Sequence, residues 1–156
     1  GNFSPDDAFD FLCALHSNLQ HGDLLLIGFD LKKDPRTILA AYDDAAGITR
    51  EFNLNMLRRI NRELNANFDT NSFSHYPTYH PVTGACRSYL ISHVDQKVDV
   101  AGHEITFSKY EPIYMELSQK YSVRDIEQLS ANCGFQSVQN FFDKKEWFVD
   151  ALWKKG

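Results

Sequence analysis

Cysteine is scarce in this 156-residue chain: Cys13, Cys86 and Cys133 are odd in number, far apart and without a CxxC pairing. Neither a disulfide framework nor a thiolate zinc site is suggested, and a reducing, cytoplasmic setting is expected. Basic charge is also short. Sixteen Lys and Arg against 21 Asp and Glu leave a formal net charge of -5, the wrong sign for a protein that lives on phosphate backbones, so no nucleic acid is expected as partner. Long apolar runs are missing too. The longest, Leu24 to Phe29, falls far short of the roughly 20 residues that cross a bilayer. No basic segment followed by an apolar one opens the chain, so no membrane or targeting role is expected. There is no GxSxG, HExxH or HxH, and the six histidines are scattered; no metal is expected, and they read as surface residues. The cysteines sit on apolar helix faces or beside turns and read as packing residues.

What is present is the make-up of a soluble globular protein, 43% hydrophobic, 24% charged and 13% aromatic. Ser4-Pro5-Asp6-Asp7 sets an N-cap hydroxyl, a first-turn proline and two early acids, which predicts a helix over about residues 5–20. Leu24 to Phe29 is a short continuous apolar run, the pattern of a strand buried on both faces of a parallel sheet. Asp34-Pro35 opens a second helix through Ile38, Leu39 and Tyr42. Ile48, Phe52, Met56, Ile60, Leu64 and Phe68 recur every four residues, with Leu57 alongside, predicting a long amphipathic helix over about 48–65. Arg50, Asn53, Arg58, Arg59 and Arg62 form its expected solvated face.

From Ser72 the period turns from helical to alternating. Arg87–His93, Lys97–Ala101, His103–Phe107 and Ile113–Ser118 read as antiparallel strands. Ser122 and Asp125 form a capping box for a further helix that Gly134 ends, and two strands, about 136–141 and 146–153, finish the chain. The organisation is nested, α/β at both ends with a helix-plus-meander block between.

Two places carry chemistry. Glu116 and Ser118 stand two apart on one strand, so their side chains emerge on one face about 6.5–7 Å apart. A carboxylate and a hydroxyl so placed suit an imidazole, whose N–H donates to the one while its other nitrogen meets the other. Polar residues on an outer strand face are more often simply solvated. Tyr42-Asp43-Asp44-Ala45-Ala46-Gly47 is a tight interhelical connection in which a phenol and carboxylates could converge, or a plain polar linker.

Leu25-Leu-Ile-Gly-Phe-Asp-Leu-Lys-Lys-Asp34, Ala40-Ala-Tyr-Asp-Asp-Ala-Ala-Gly47, Phe52-Asn-Leu-Asn55, Asn61-Arg-Glu-Leu64 and Glu116-Leu-Ser118 with Lys120 resemble the histidine-specific S-adenosylmethionine-dependent methyltransferases. Members of that family make the trimethylhistidine betaine, hercynine, on the route to ergothioneine. The resemblance runs over essentially the whole chain, in order. It implies an α/β fold, the C-terminal half of a Rossmann-like class I methyltransferase sheet with an inserted α+β substrate-binding domain. Residues 1–32 and 119–156 would form the partial methyltransferase domain, and 33–118 the inserted histidine-binding domain.

The substrate-binding residues implied are Asn2 and Tyr42 for the amino-acid backbone of L-histidine and Glu116 and Ser118 for its imidazole. The resemblance assigns no side chain a covalent catalytic role. The cofactor implied is S-adenosyl-L-methionine. The family's glycine-rich loop and the acid of its second strand are absent, since Gly28 stands alone and no GxGxxG occurs. The cofactor site is therefore expected in an amino-terminal half preceding this chain. Two alternatives stay open on the sequence: a methyltransferase for another amino acid or small amine, and a non-catalytic binding module derived from such an enzyme.

Overall fold

The structure, a computed structural model, describes residues 1–156. In chain order its elements are α1 (Pro5–Asn18), β1 (Leu24–Asp30), α2 (Pro35–Tyr42), α3 (Ile48–Leu64), β2 (Phe73–His80), β3 (Ala85–Ser92), β4 (Gln96–Val100), β5 (His103–Phe107), β6 (Pro112–Gln119), α4 (Val123–Asn132), β7 (Phe135–Phe142) and β8 (Phe148–Lys155). They divide into two compact units: Gly1–Pro35 with His80–Cys86 and Leu117–Gly156, and Arg36–Tyr79 with Arg87–Glu116.

The helix starts of the first unit follow local chemistry. Ser4 Oγ accepts the Asp7 N–H and Pro5 fills the first helical position of α1. The predicted capping box is formed at α4: Ser122 Oγ accepts from Asp125 N at 3.1 Å and Asp125 accepts from Ser122 N at 2.8 Å. These helices belong to a three-stranded sheet ordered β1-β8-β7. Leu25, Ile27 and Phe29 stand opposite Trp153, Ala151 and Val149. That face carries the core, in which Leu12, Ile126, Cys133 and Phe135 pack with the strand residues.

The pairing corrects the expectation for β1. It runs antiparallel to β8, and its apolar run is buried on one face only: Leu24 and Leu26 are 59% and 60% exposed. A continuous apolar run states that both faces are apolar; what covers each face is a tertiary matter. β1 is an outer strand of this sheet, and the residue that follows it, Leu31, makes an isolated parallel bridge with Tyr121.

In the second unit Leu54, Leu57, Phe68, Phe73, Leu90, Val98 and Phe107 form the core. Strands β4 and β5 make a hairpin from the Gln96–Phe107 pair to the Val100–His103 pair. A three-stranded set is ordered β2-β3-β6. Helix α3 has the expected length but not the expected face. Ile48, Phe52, Met56 and Leu64 are exposed, whereas Asn53, assigned above to the solvated side, is 3% exposed beside Leu54 and Leu57. A step of four residues overshoots one turn by about 40°, so a strict every-fourth-residue series winds around the helix instead of lining one face. Buried Asn53 keeps its amide satisfied by donating to the Thr49 carbonyl at 3.0 Å. Asn61 clamps the loop that follows, donating to Phe68 O and accepting from Phe68 N, both at 2.8 Å.

Candidate functional site

In the first unit the polar chemistry gathers at the end of β1. Lys120, just past β6, is 1% exposed. Its ammonium lies 2.6 Å from Asp30 Oδ2 and donates to Ser118 Oγ at 2.8 Å. Lys33 reaches the other oxygen of Asp30 at 2.6 Å and the Trp147 carbonyl at 3.0 Å. Partial burial raises the Asp30 carboxyl, but the bonds to Lys120 and Lys33 outweigh it and leave the group below the ordinary carboxylate value. Lys120 N donates to Gly84 O at 2.8 Å. Gly84 turns with φ +77°, and a Cβ there would lie 2.2 Å from Lys120 O, so this turn admits only glycine.

Ser118 is also flanked by the amino-terminal segment. Gln119 N donates to Gly1 O at 2.7 Å, and a Cβ on Gly1 would lie 3.5 Å from Ser118 Oγ. The next residue, Asn2, is exposed. An apolar cavity of about 330 Å³ opens in the same unit, with Phe3, Phe11, Leu15, Leu26 and Phe29 among its lining residues.

In the second unit Tyr42 ends α2, half-buried. The two acids that follow it have different tasks. Asp44 accepts from Ile48 N at 2.8 Å and Thr49 N at 2.9 Å, tying up the first amides of α3. Those bonds hold its carboxyl down at about 2. One member of the acidic pair is thus engaged in starting a helix.

A cleft of about 100 Å³ is lined by Tyr42, Asp43, Asp44, Ala45, Gly47, Arg50 and His75. His75, on β2, has a buried Nε2 without a hydrogen-bond partner. Desolvation lowers its pKa while Asp43, Glu116 and Asp44 pull it upward. The scattered spacing of the histidines predicts a surface residue here; in the structure His75 is half-buried in the cleft of Tyr42. An alternating strand that places its inward position on a histidine is the only signal that could have flagged it. Glu116, half-buried on β6, accepts from Ser88 Oγ at 3.4 Å, and Ser88 itself is buried.

The structure therefore brings Tyr42 and Glu116 to the surroundings of one histidine in the second unit, and Ser118 to Lys120 and the Gly1–Asn2 segment in the first. Glu116 and Ser118 remain i and i+2 of β6, as their spacing requires. Cys86 and Cys133 are buried. Cys13 donates to Cys133 Sγ at 3.3 Å, inside the first core. No group of three His, Cys, Asp or Glu side chains has the arrangement to hold a metal ion, and no helix is long and apolar enough to cross a membrane.

Comparison with known proteins places these observations. A family model described as histidine-specific methyltransferase, SAM-dependent, matches residues 1–155. The histidine N-alpha-methyltransferase of Mycolicibacterium smegmatis is 36% identical over 152 residues, which is 96% of this chain and 45% of that protein. The ergothioneine biosynthesis protein 1 of Schizosaccharomyces pombe is 30% identical over 142 residues, 90% of this chain and 18% of that one. The L-tryptophan methyltransferase trpM of Psilocybe serbica is 27% identical over 150 residues, 93% of this chain and 41% of that one. The chain thus spans less than half the length of these relatives. Among solved structures, the CcbJ methyltransferase from Streptomyces caelestis superposes with a TM-score of 0.51 at 9% identity, covering 98% of this chain and 55% of that one, a likeness of α/β fold.

Proposed function

The chain belongs to the histidine-specific, SAM-dependent methyltransferase family, and on that footing we propose that it is the C-terminal half of an enzyme that trimethylates the α-amino group of L-histidine to hercynine. The observation that carries the reading is the convergence of two independent arguments on Glu116 and Ser118. Their placement on β6 offers a carboxylate and a hydroxyl to an imidazole, and the family resemblance assigns that pair the same task. Residues 33–118 would be the inserted substrate-binding domain, and residues 1–32 and 119–156 part of the methyltransferase domain. The cofactor would be S-adenosyl-L-methionine, the setting the cytoplasm.

The residues of this chain carry no glycine-rich turn of the kind that cradles such a cofactor. A phosphate- or nucleoside-cradling turn needs clustered glycines between a strand and a helix. The turn glycines here, Gly22, Gly47, Gly84, Gly102 and Gly134, are all isolated from one another. Most of the cofactor site would lie outside these residues.

What this chain would contribute is positioning. An amine that gains three methyl groups changes size and charge at each round, so it must be held through groups that stay constant. For histidine these are the imidazole and the carboxylate. Glu116 would accept the ring N–H, Ser118 would meet the other ring nitrogen, and Tyr42 and Asn2 would hold the backbone end.

Calorimetric titration of L-histidine, with leucine and tryptophan as controls, into the full-length protein tests the reading. Selective histidine binding is expected. Equal or tighter binding of tryptophan would shift the assignment to another amino acid, and binding without turnover in the presence of S-adenosylmethionine would favour a non-catalytic module. The chain on its own is expected neither to bind S-adenosylmethionine tightly nor to turn over; turnover would show the cofactor site misplaced.

A further inference from the structure

The Lys120 ammonium is 1% exposed and sits between Asp30 and the Ser118 hydroxyl, at 2.6 and 2.8 Å. Burying a lysine is costly unless it is paired. Pairing to Asp30 satisfies the charge, and Lys33 holds Asp30 from its other side at 2.6 Å. The Lys120 backbone is fixed at the same time by its bond to Gly84 O and by the close approach of the Gly84 turn. The ammonium carries three donors, and one of those not spent on Asp30 is directed at Ser118.

An ammonium is a donor only. In the contact with Lys120, Ser118 Oγ must therefore be the acceptor, and its own hydrogen must point elsewhere. The neighbouring positive charge also polarises the hydroxyl, making it a stronger donor and a weaker acceptor. Lys120 takes up one of the two lone pairs of Ser118 Oγ and leaves its hydrogen free, so a serine that could offer either polarity is biased toward donating.

We infer that Lys120 is a positioning residue for substrate choice: by occupying one lone pair of Ser118 Oγ it biases the hydroxyl toward donating, so that Ser118 favours a ring nitrogen that accepts. This deepens the proposed function and rests on it. Glu116, when ionised, can only accept. The pair then favours a ring with one N–H and one bare nitrogen, which is neutral imidazole in a single tautomer. An indole has an N–H and no accepting nitrogen, and an aliphatic side chain has neither.

The test is a double-mutant cycle on the full-length protein, reading KM for L-histidine and kcat in wild type, Lys120→Met, Ser118→Ala and the double variant. Each single change should raise KM about tenfold, the scale of one hydrogen bond, with kcat within about twofold. The double variant should stay near the same value, because both changes remove one interaction. A loss of mere structural support by Lys120→Met would instead lower melting temperature and leave KM untouched. If Lys120→Met fails to fold because Asp30 keeps only one of its two lysine partners, Lys120→Met with Asp30→Asn removes both charges of the buried pair and gives the same reading. Independent effects that multiply to about a hundredfold, or a raised KM for Ser118→Ala with none for Lys120→Met, would overturn the inference while leaving the histidine site intact. No KM effect of Ser118→Ala would overturn the Ser118 assignment and the inference together, and absence of histidine turnover in the wild-type protein would sink the proposed function itself.

Discussion

The two units each hold a polar cluster, and the clusters are built on opposite principles. Around Lys120 the charge is taken out of water, and its partners Asp30 and Ser118 are held at 2.6 and 2.8 Å from one another's common donor. Around Tyr42 the charges stay near solvent, and Asp44 is occupied with the backbone of α3. A buried charge dictates the geometry of whatever it touches, because leaving it unpaired is costly. A solvated carboxylate does not, and its effect ends within a turn of helix. The lesson is that the first cluster is expected to tolerate change badly and the second to tolerate it well, whatever their shared residue types suggest.

The largest contrast should come from removing Asp30. Asp30→Ala leaves the Lys120 ammonium buried without its carboxylate, and should lower stability by about 2–4 kcal/mol, somewhat less than the roughly 3–5 kcal/mol of a fully buried pair because Asp30 is partly exposed. Asp43→Ala, at an exposed residue of the other cluster, should fall within about 0.5 kcal/mol of wild type. Urea denaturation of both variants measures the difference, and equal losses would break the comparison.

A smaller effect, on ligand and not on folding, is expected at Glu116. Glu116→Ala should weaken histidine binding by about 1.5–3 kcal/mol, the contribution of a charge-assisted hydrogen bond to a ring N–H. Calorimetry reads it directly, and unchanged affinity removes Glu116 from the site.

The helix start is next. The Asp44 carboxyl is held down to about 2 against an ordinary value of 3.8, so the folded state binds this proton less readily than the unfolded one. Its stabilising effect is complete above the ordinary value and disappears as pH falls toward about 2. Helical circular dichroism should therefore show a step between those values that Asp44→Asn abolishes. An acid limb identical in the variant would show that other carboxylates govern it.

The slightest expected signal is chemical. Burial, reinforced by Cys13, pushes the Cys133 thiol up to about 12, so almost none is thiolate at pH 8 and its modification by an aromatic disulfide reagent in the folded protein should be slow. Thiol counting with and without denaturant checks this; rapid labelling of Cys133 in the native state would contradict its burial.

Much of this structure could be read from neighbouring residues alone. Ser4-Pro5 and the Ser122–Asp125 box specify their helices because capping is a contact within one turn. Glu116 and Ser118 share a face because strand geometry is equally local. The packed face of α3 is not legible for a rotational reason, since a period of four drifts around the helix and hides the Asn53–Leu57 side that packs. Burial of only one face of β1, the inward placement of His75 and the burial of Lys120 depend on segments distant in the chain: β8, the Tyr42–Gly47 connection, and Asp30 with the Gly84 turn. A lysine in sequence carries no sign that its ammonium will be desolvated 90 residues from the acid that neutralises it.

Strand β1 has a practical consequence of its own. Its outward rim, apart from the Leu31 bridge, offers a row of main-chain donors and acceptors with no neighbouring strand, next to the solvent-facing Leu24 and Leu26. An unprotected rim of that kind is a template for stacking one molecule on another. For the polypeptide by itself that rim is the part of this sheet open to pairing with a second molecule, and Leu26→Lys would place a charge beside it.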